Sequence, residues 1–482
     1  MNRKYLLGAL LAVSALMGGC MVGPKFRPPV VETPSKYLGT PGTAASDLLW
    51  WQLFDDSTLV RLVSTALANN RNVGMAFSRV EQARLALKAT RAQFGPSLQY
   101  GVNAQYGTES YVGLTSDKPI QTYIIKPTIS WEIDLFGKIR RMSEADQSRL
   151  LASDQAAQGV LVALVADVAS TYFEYLQYEY AVETARSTYR TRMDTYELLE
   201  HSFRAGSIGE MDLKQAQSAY ATAAALIPQY ERARQQSLHA LSLLLGQNPS
   251  QVVGVHVPLD EFPVPGEVPA GLPSDLLARR SDMQQAYYQT MAANAEVGVA
   301  QAMRFPTIAL TANGGVLSED IKKLFDAKSY LWSAAGGISG PIFNFGANKR
   351  RMQVAREKYR ESVLNYEQCY LQALHEVEDA LTAVATYREQ VGAMRILVQA
   401  AQRADTIAVQ QYNAGQISFL NVLDSERTLL EARTNYAQAL SGMLGSYATL
   451  YKALGGGITS PEETFAAAYS DSPTARAHDI SK

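Results

Sequence analysis

Residues 89–104, ATRAQFGPSLQYGVNA, return 210 positions later as VAQAMRFPTIALTANG. LFGKIRRM (135–142) returns as NFGANKRRM (344–352), and FRAGSIGEMDL (203–213) returns as YNAGQISFLNV (412–422). The landmarks keep one order: a helix, a proline-started strand, a strand ending at Phe-Gly, a long helix ending at Ala-Gly, and a returning helix. A period of this length marks a duplicated half of the chain, not a short solenoid unit. The chain is therefore expected to be one helix–strand–strand–helix–helix unit written twice. Repeat 1 covers 48–247 and repeat 2 covers 274–457. A proline-rich linker, 248–273, joins them and is expected to run around the outside of the helices. The polar tail, 458–482, is expected to be disordered.

Strands are expected at 96–107, 121–136, 306–315 and 329–345. In PTISWEIDLFGKIRR (127–141), Ile129, Trp131, Ile133 and Leu135 share one parity, and Thr128, Ser130, Glu132 and Asp134 share the other. Successive strand side chains point to opposite sides, so one face is dry and the other wet. The first strand repeats the pattern, with Leu98, Tyr100, Val102, Ala104 and Tyr106 against Ser97, Gln99, Asn103 and Gln105. Alternating strands of about ten residues suit an outer membrane. Ile129, Trp131, Ile133 and Leu135 are then assigned to lipid. Thr128, Ser130, Glu132 and Asp134 are assigned to a watery lumen, where the two acids hint at a mild cation preference. A dry face buried in a soluble sandwich is the alternative.

The stretches 138–205 and 347–414 contain no proline. As helices they would be roughly 100 Å long at 1.5 Å per residue. Apolar residues recur every seven positions, at Leu161, Val168, Tyr175, Val182 and Tyr189, and again at Val377, Val384, Val391 and Val398, with Leu374 and Leu381 on the neighbouring seam and Arg388 breaking the second seam. Sustained sevens indicate packing against sister helices. Gly206 and Gly415 stop the long helices and mark two hairpin tips.

Four strands cannot close a barrel, and an open edge in hydrocarbon leaves backbone groups unsatisfied. Three copies would supply twelve strands. The expected fold is thus mainly α with a membrane β-barrel, four strands per chain and twelve in a trimer, carried on long helices packed against their sisters.

The N-terminus, MNRKYLLGALLAVSALMGGC, has a basic start, an apolar centre and small residues before Cys20. It reads as a lipoprotein signal (1–19), with Cys20 as the lipidated residue and 20–47 as an extended strap. Beyond it, no run of 18 or more consecutive apolar residues is long enough for a spanning helix. The second cysteine, Cys369, reads as a small buried residue.

Lysines and arginines number 44 against 46 acids, which gives no basic excess for nucleic acid. HEVED (375–379) begins like a zinc motif but has no second histidine four residues on. GGG (455–457) follows a helix and reads as its stop. No nucleophile with a nearby base is visible. No enzyme activity, metal or cofactor is expected.

The strap MVGPKFRPP after Cys20, WWQLFDDSTLVRLVSTALANNRNV (50–73), SWEIDLFGKIRR, GPIFNFGANKRR and YNAGQISFLNVLDSER together resemble the TolC-like outer-membrane factor family, in its OprM-type lipoprotein branch. The resemblance spans nearly the whole mature chain. It implies a homotrimeric exit duct in the outer membrane with a periplasmic α-barrel. The implied partners are a periplasmic adaptor and an inner-membrane RND transporter, and the implied role is multidrug efflux. A periplasm-spanning lipoprotein without a pore is the competing class, and protein or metal export remains open within the channel class.

A permanently open duct would leak, so a gate is expected at the tips. Leu420 and Asp424 lie four apart and share a helix face. Around a threefold axis they would form an apolar plug and a carboxylate ring, steadied by Arg427 and Tyr412. In the resembling family, the leucine, aspartate and arginine matching Leu420, Asp424 and Arg427 belong to the periplasmic constriction. The alternative is that Leu420 packs within the hairpin and Asp424 complements the positive helix start.

Overall fold

The computed structural model describes residues 21–34, 37, 54, 56–109, 115–249, 258–262 and 275–456. Cys20, most of the linker and the tail lie outside the described residues. The elements are α1 (Ser57–Asn69), α2 (Arg71–Ala92), β1 (Ser97–Glu109), β2 (Thr115–Ile133), α3 (Lys138–Arg204), α4 (Glu210–Leu244), α5 (Leu276–Arg279), α6 (Ser281–Ala302), β3 (Thr307–Ser318), β4 (Tyr330–Ser339), α7 (Ala347–Asn413) and α8 (Phe419–Ala453). Helix–strand–strand–helix–helix therefore occurs twice in one order.

The chain divides into two compact units. The first comprises Met1–Val30, Ser78–Asp154 and Gln285–Gln368; the second comprises Val31–Phe77, Gln155–Gln284 and Cys369–Lys482.

The first unit holds the sheet. Its four strands are antiparallel in the order β1-β2-β3-β4, so β1 and β4 are its edges. Pro127 sits mid-strand in β2. It has no N–H, and the β2–β3 ladder lapses at Lys126 and Pro127 before resuming at Thr128 opposite Asn313. Strand ends differ from expectation. β2 begins at Thr115 and stops at Ile133, not 136, and β4 stops at Ser339, not 345. Phe345, expected in the strand, has a left-handed φ of 49°.

The second unit is helical. Its core joins Leu59 and Val63 of α1, Leu161, Val168 and Phe173 of α3, and Leu440, Met443 and Tyr447 of α8. The rings of Phe54 and Phe173 lie 5.2 Å apart, with Phe262 packed against both. Leu259 and Phe262 belong to the linker, so this part of it enters the core instead of running outside. Four of the first seam's sevens, Leu161, Val168, Tyr175 and Val182, are buried. Arg388, the break in the second seam, donates to the Tyr447 hydroxyl at 2.6 Å.

One stretch of α3 is long and apolar enough to cross a bilayer, with a mean hydropathy of 1.4, although no unbroken apolar run suggested it. Half of that stretch is buried. Its apolar side chains serve helix packing.

Both long helices contain 67 residues and end at Arg204 and Asn413. Gly206 and Gly415 have φ of 75° and 72°. Ser207 N–H donates to Ser202 O, and Gly206 N–H to Phe203 O, each at 2.9 Å; Gln416 and Gly415 repeat the pair on Gln411 and Tyr412. This is the paired closure that a left-handed residue permits at a helix end. The returning helices start at Gly209 and Ser418, neither with a side-chain cap. α4 continues through Pro228.

Candidate functional site

Register decides which strand residues share a face. Leu98 stands opposite Ile129, Ile129 opposite Ala312, and Ala312 opposite Ala334. Trp131 stands opposite Leu310, and Ile133 opposite Ile308, which pairs on its other side with Ile338. Ile129, Trp131 and Ile133 therefore share one face with Leu98, Tyr100, Val102, Trp332 and Ile338. Within the chain that face is bare: Tyr100 is 86% exposed, Val102 69% and Trp332 83%. Apolar area of this extent is unfavourable in water and must meet lipid or protein.

The other face carries Thr128 opposite Gln99 and Asn313, and Ser130 opposite Ser97 and Thr311. Glu132 shares this parity, and its carboxylate is held by Lys138 at 2.6 Å. The Trp131 indole N–H donates to Phe94 O at 2.8 Å. This leaves its ring free of an unpaired donor on an apolar face.

Asp134 and Leu135 do not belong to either strand face, because β2 has ended. The Asp134 carboxylate accepts the N–H groups of Ile139 at 3.0 Å and Arg140 at 2.9 Å, and it pairs with the Arg140 guanidinium at 3.2 Å. An acid expected on the lumen side instead satisfies free N–H donors at the start of α3. With Glu132 also paired, the expected cation preference loses its basis on this strand.

The tips lie in the helical unit. Leu199 and Leu213 from the first hairpin join Ala408, Phe419 and Val422 from the second in one apolar cluster. The sequence-assigned gate residues of the second hairpin divide in two. Tyr412 faces inward, its ring 5.4 Å from Phe419. Burial, and then the charge of Asp212, raise its phenol above the ordinary value. Leu420 and Asp424 face outward, with Leu420 58% exposed. Arg427 holds Asp424 at 2.7 Å and Glu431 at 3.0 Å. Leu420 is thus not packed inside its own hairpin, and Arg427 pairs with Asp424 on the same helix.

Sequence reading missed Arg192 and Glu426. They form a buried ion pair of 3.0 Å between α3 and α8. Burial raises the Glu426 carboxyl against the opposing pull of Arg192. The available signal was a charge in an apolar stripe, since Glu426 falls between Val422 and Leu430 at helical spacing.

Burial, and secondarily the Asp282 charge, push the Cys369 thiol up to about 11, so it stays protonated. Among the described residues no group of three His, Cys, Asp or Glu side chains could hold a metal ion.

A family model described as outer membrane efflux protein matches residues 62–247 and 272–456. The solvent efflux pump outer membrane protein SrpC of Pseudomonas putida is 34% identical, across 92% of this chain and 96% of its own length. The cation efflux system protein CusC of Escherichia coli K12 is 32% identical, across 92% and 98%. Among solved structures, the outer-membrane channel OprN superposes with a TM-score of 0.82 at 29% identity, covering 91% of this chain and 99% of that one.

Proposed function

The chain belongs to the outer membrane efflux protein family, and from that premise we propose that three copies close a twelve-stranded barrel and form the exit duct of a tripartite pump. The carrying observation is the sheet: four strands with open edges, a bare apolar face and a polar opposite face. Three such sheets joined edge to edge satisfy the backbone, put the apolar face on lipid and leave the polar face around water. The helical hairpins extend the duct into the periplasm. There it meets an adaptor and an RND transporter, which supply the energy that a passive channel lacks. Cys20 carries the lipid, and the Cys20→Ala variant should take up no radioactive palmitate.

The cargo class is small toxic compounds, organic solvents and lipophilic drugs among them, as the name of SrpC suggests for that relative. Metal-ion export is the second reading, favoured by the similarity to CusC. The paired state of Glu132 speaks against an acidic route for cations along β2. A spacer without a pore would give the polar sheet face no water to meet.

Deletion of the gene in its host tests the assignment. Susceptibility to solvents and lipophilic antibiotics should rise and be restored by the intact gene. A change confined to metal salts would favour the second reading, and no change for any compound would refute the export role.

A further inference from the structure

The N-terminal strap is fastened to the first unit by named contacts. Val22 N–H donates to Phe136 O at 3.2 Å, Arg141 Nε donates to Val22 O at 3.1 Å, and Asn294 Nδ2 donates to Pro24 O at 3.3 Å. The Phe26 ring packs edge-on against Tyr287 with centroids 5.5 Å apart. Gly23 has φ of 114°, and a Cβ there would lie 2.6 Å from the Cα of Gly298 in α6. The strap therefore crosses α6 backbone to backbone, a closeness that glycine permits.

Between the strap, α6 and α7 lies a cleft lined by Lys25, Arg27 and Arg356, with Asn294, Gln301 and Tyr359. No carboxylate lines it. Among the described residues, none of the three cations makes an ion pair or hydrogen bond. Unpaired cations gathered in one cleft repel one another, and an anion relieves that repulsion. Arginine's fork and lysine's point charge both suit phosphate oxygens, and the amides and the phenol add neutral donors.

We propose that this cleft binds a phosphate group, specifically the phosphodiester headgroup of an anionic phospholipid. The proposal rests on the channel reading, which places the apolar sheet face and the Cys20 lipid in the outer membrane. Lys25 and Arg27 follow Cys20 by five and seven residues, so an extended chain keeps them within about 18 and 25 Å of it. That reach brings the cations to headgroup depth, where anionic lipid attracts them. A free phosphate ion offers the same chemistry but no reason for this location.

Native mass spectrometry of the full-length acylated protein in detergent tests it, with phosphatidylglycerol, phosphatidylethanolamine or inorganic phosphate added separately. The parent should retain phosphatidylglycerol in preference to phosphatidylethanolamine. The Lys25→Gln/Arg27→Gln/Arg356→Gln variant should retain at least about fivefold less, with trimer and conductance unchanged. Equal retention by parent and variant overturns the proposal. Displacement of the lipid by inorganic phosphate overturns the lipid assignment in favour of a free-ion site. A variant that loses the trimer but keeps its lipid assigns the cations to a contact between copies and also overturns it. A parent that neither trimerises nor conducts refutes the channel reading, while its lipid count still decides the cleft.

Discussion

Arg192 of α3 and Glu426 of α8 form an ion pair of 3.0 Å with side chains only 7% and 9% exposed. The same guanidinium donates to Ala219 O of α4 at 3.1 Å, so one side chain ties three helices and both repeats. A buried pair is worth little against an apolar substitute, but a buried charge left alone is costly. Arg192→Met should therefore destabilise by about 3–5 kcal/mol, and Arg192→Met/Glu426→Leu by much less. The pH dependence follows from the raised Glu426 carboxyl. A carboxyl raised by folding contributes its stability below its unfolded value and loses it as pH rises through the folded value. Without Arg192 that loss grows, so the single variant's deficit should shrink as pH falls from neutral towards 4. Melting of the purified protein across that range checks it; a deficit independent of pH would contradict it.

Depth along the sheet sets the cost of a charge on the apolar face. Val102 lies near the middle of β1, whereas Ile133 is the last residue of β2. Val102→Arg should cost about 2–4 kcal/mol in assembly and Ile133→Arg about 0–1. Thr128→Arg, on the polar face, should assemble normally and alter conductance. Trimer yield from outer-membrane extracts measures the first two. Normal yield for Val102→Arg with failure of Thr128→Arg would mean that the faces are reversed.

Two glycine classes should respond with opposite signs. Gly206 and Gly415 have left-handed φ, and a Cβ at either would meet no atom within 4 Å. Alanine there should cost roughly 1–2 kcal/mol from the backbone alone. Gly392 lies in the interior of α7, also with open space around it, and Gly392→Ala should stabilise by roughly 0.5–1 kcal/mol. Hydrogen exchange at the tips and thermal melting separate the two effects.

Local signals in the sequence were legible because their causes are local. A glycine after a long proline-free run needs only its own φ to end a helix, and Gly206 and Gly415 do so. Parity at Ile129, Trp131 and Ile133 carried through because side chains alternate along a strand with a period of two. The strand end at Ile133 was hidden by chance alternation, since Asp134 and Leu135 continue the pattern while Asp134 turns to bond Ile139 and Arg140. The recurring Phe-Gly, at Phe345, set the expected end of the fourth strand, whereas β4 stops at Ser339. Arg192 and Glu426 are 234 residues apart, and nothing local pairs them. Of the expected gate, Leu420, Asp424 and Arg427 lie on the exposed side, whereas Tyr412 packs inward.

The most direct measurement is the conductance of the full-length protein in planar bilayers, parent against Leu420→Ala/Asp424→Ala. Leu420 and Asp424 are exposed on one face of α8, and in the proposed trimer that face would meet its counterparts around the threefold axis. Removing the apolar plug and the charged ring should widen the tip without unfolding either hairpin, because Phe419 and Val422 hold the cluster beneath. The parent should show a small conductance and the variant a clear increase. A variant trimer of normal stability that conducts no more than the parent would contradict it.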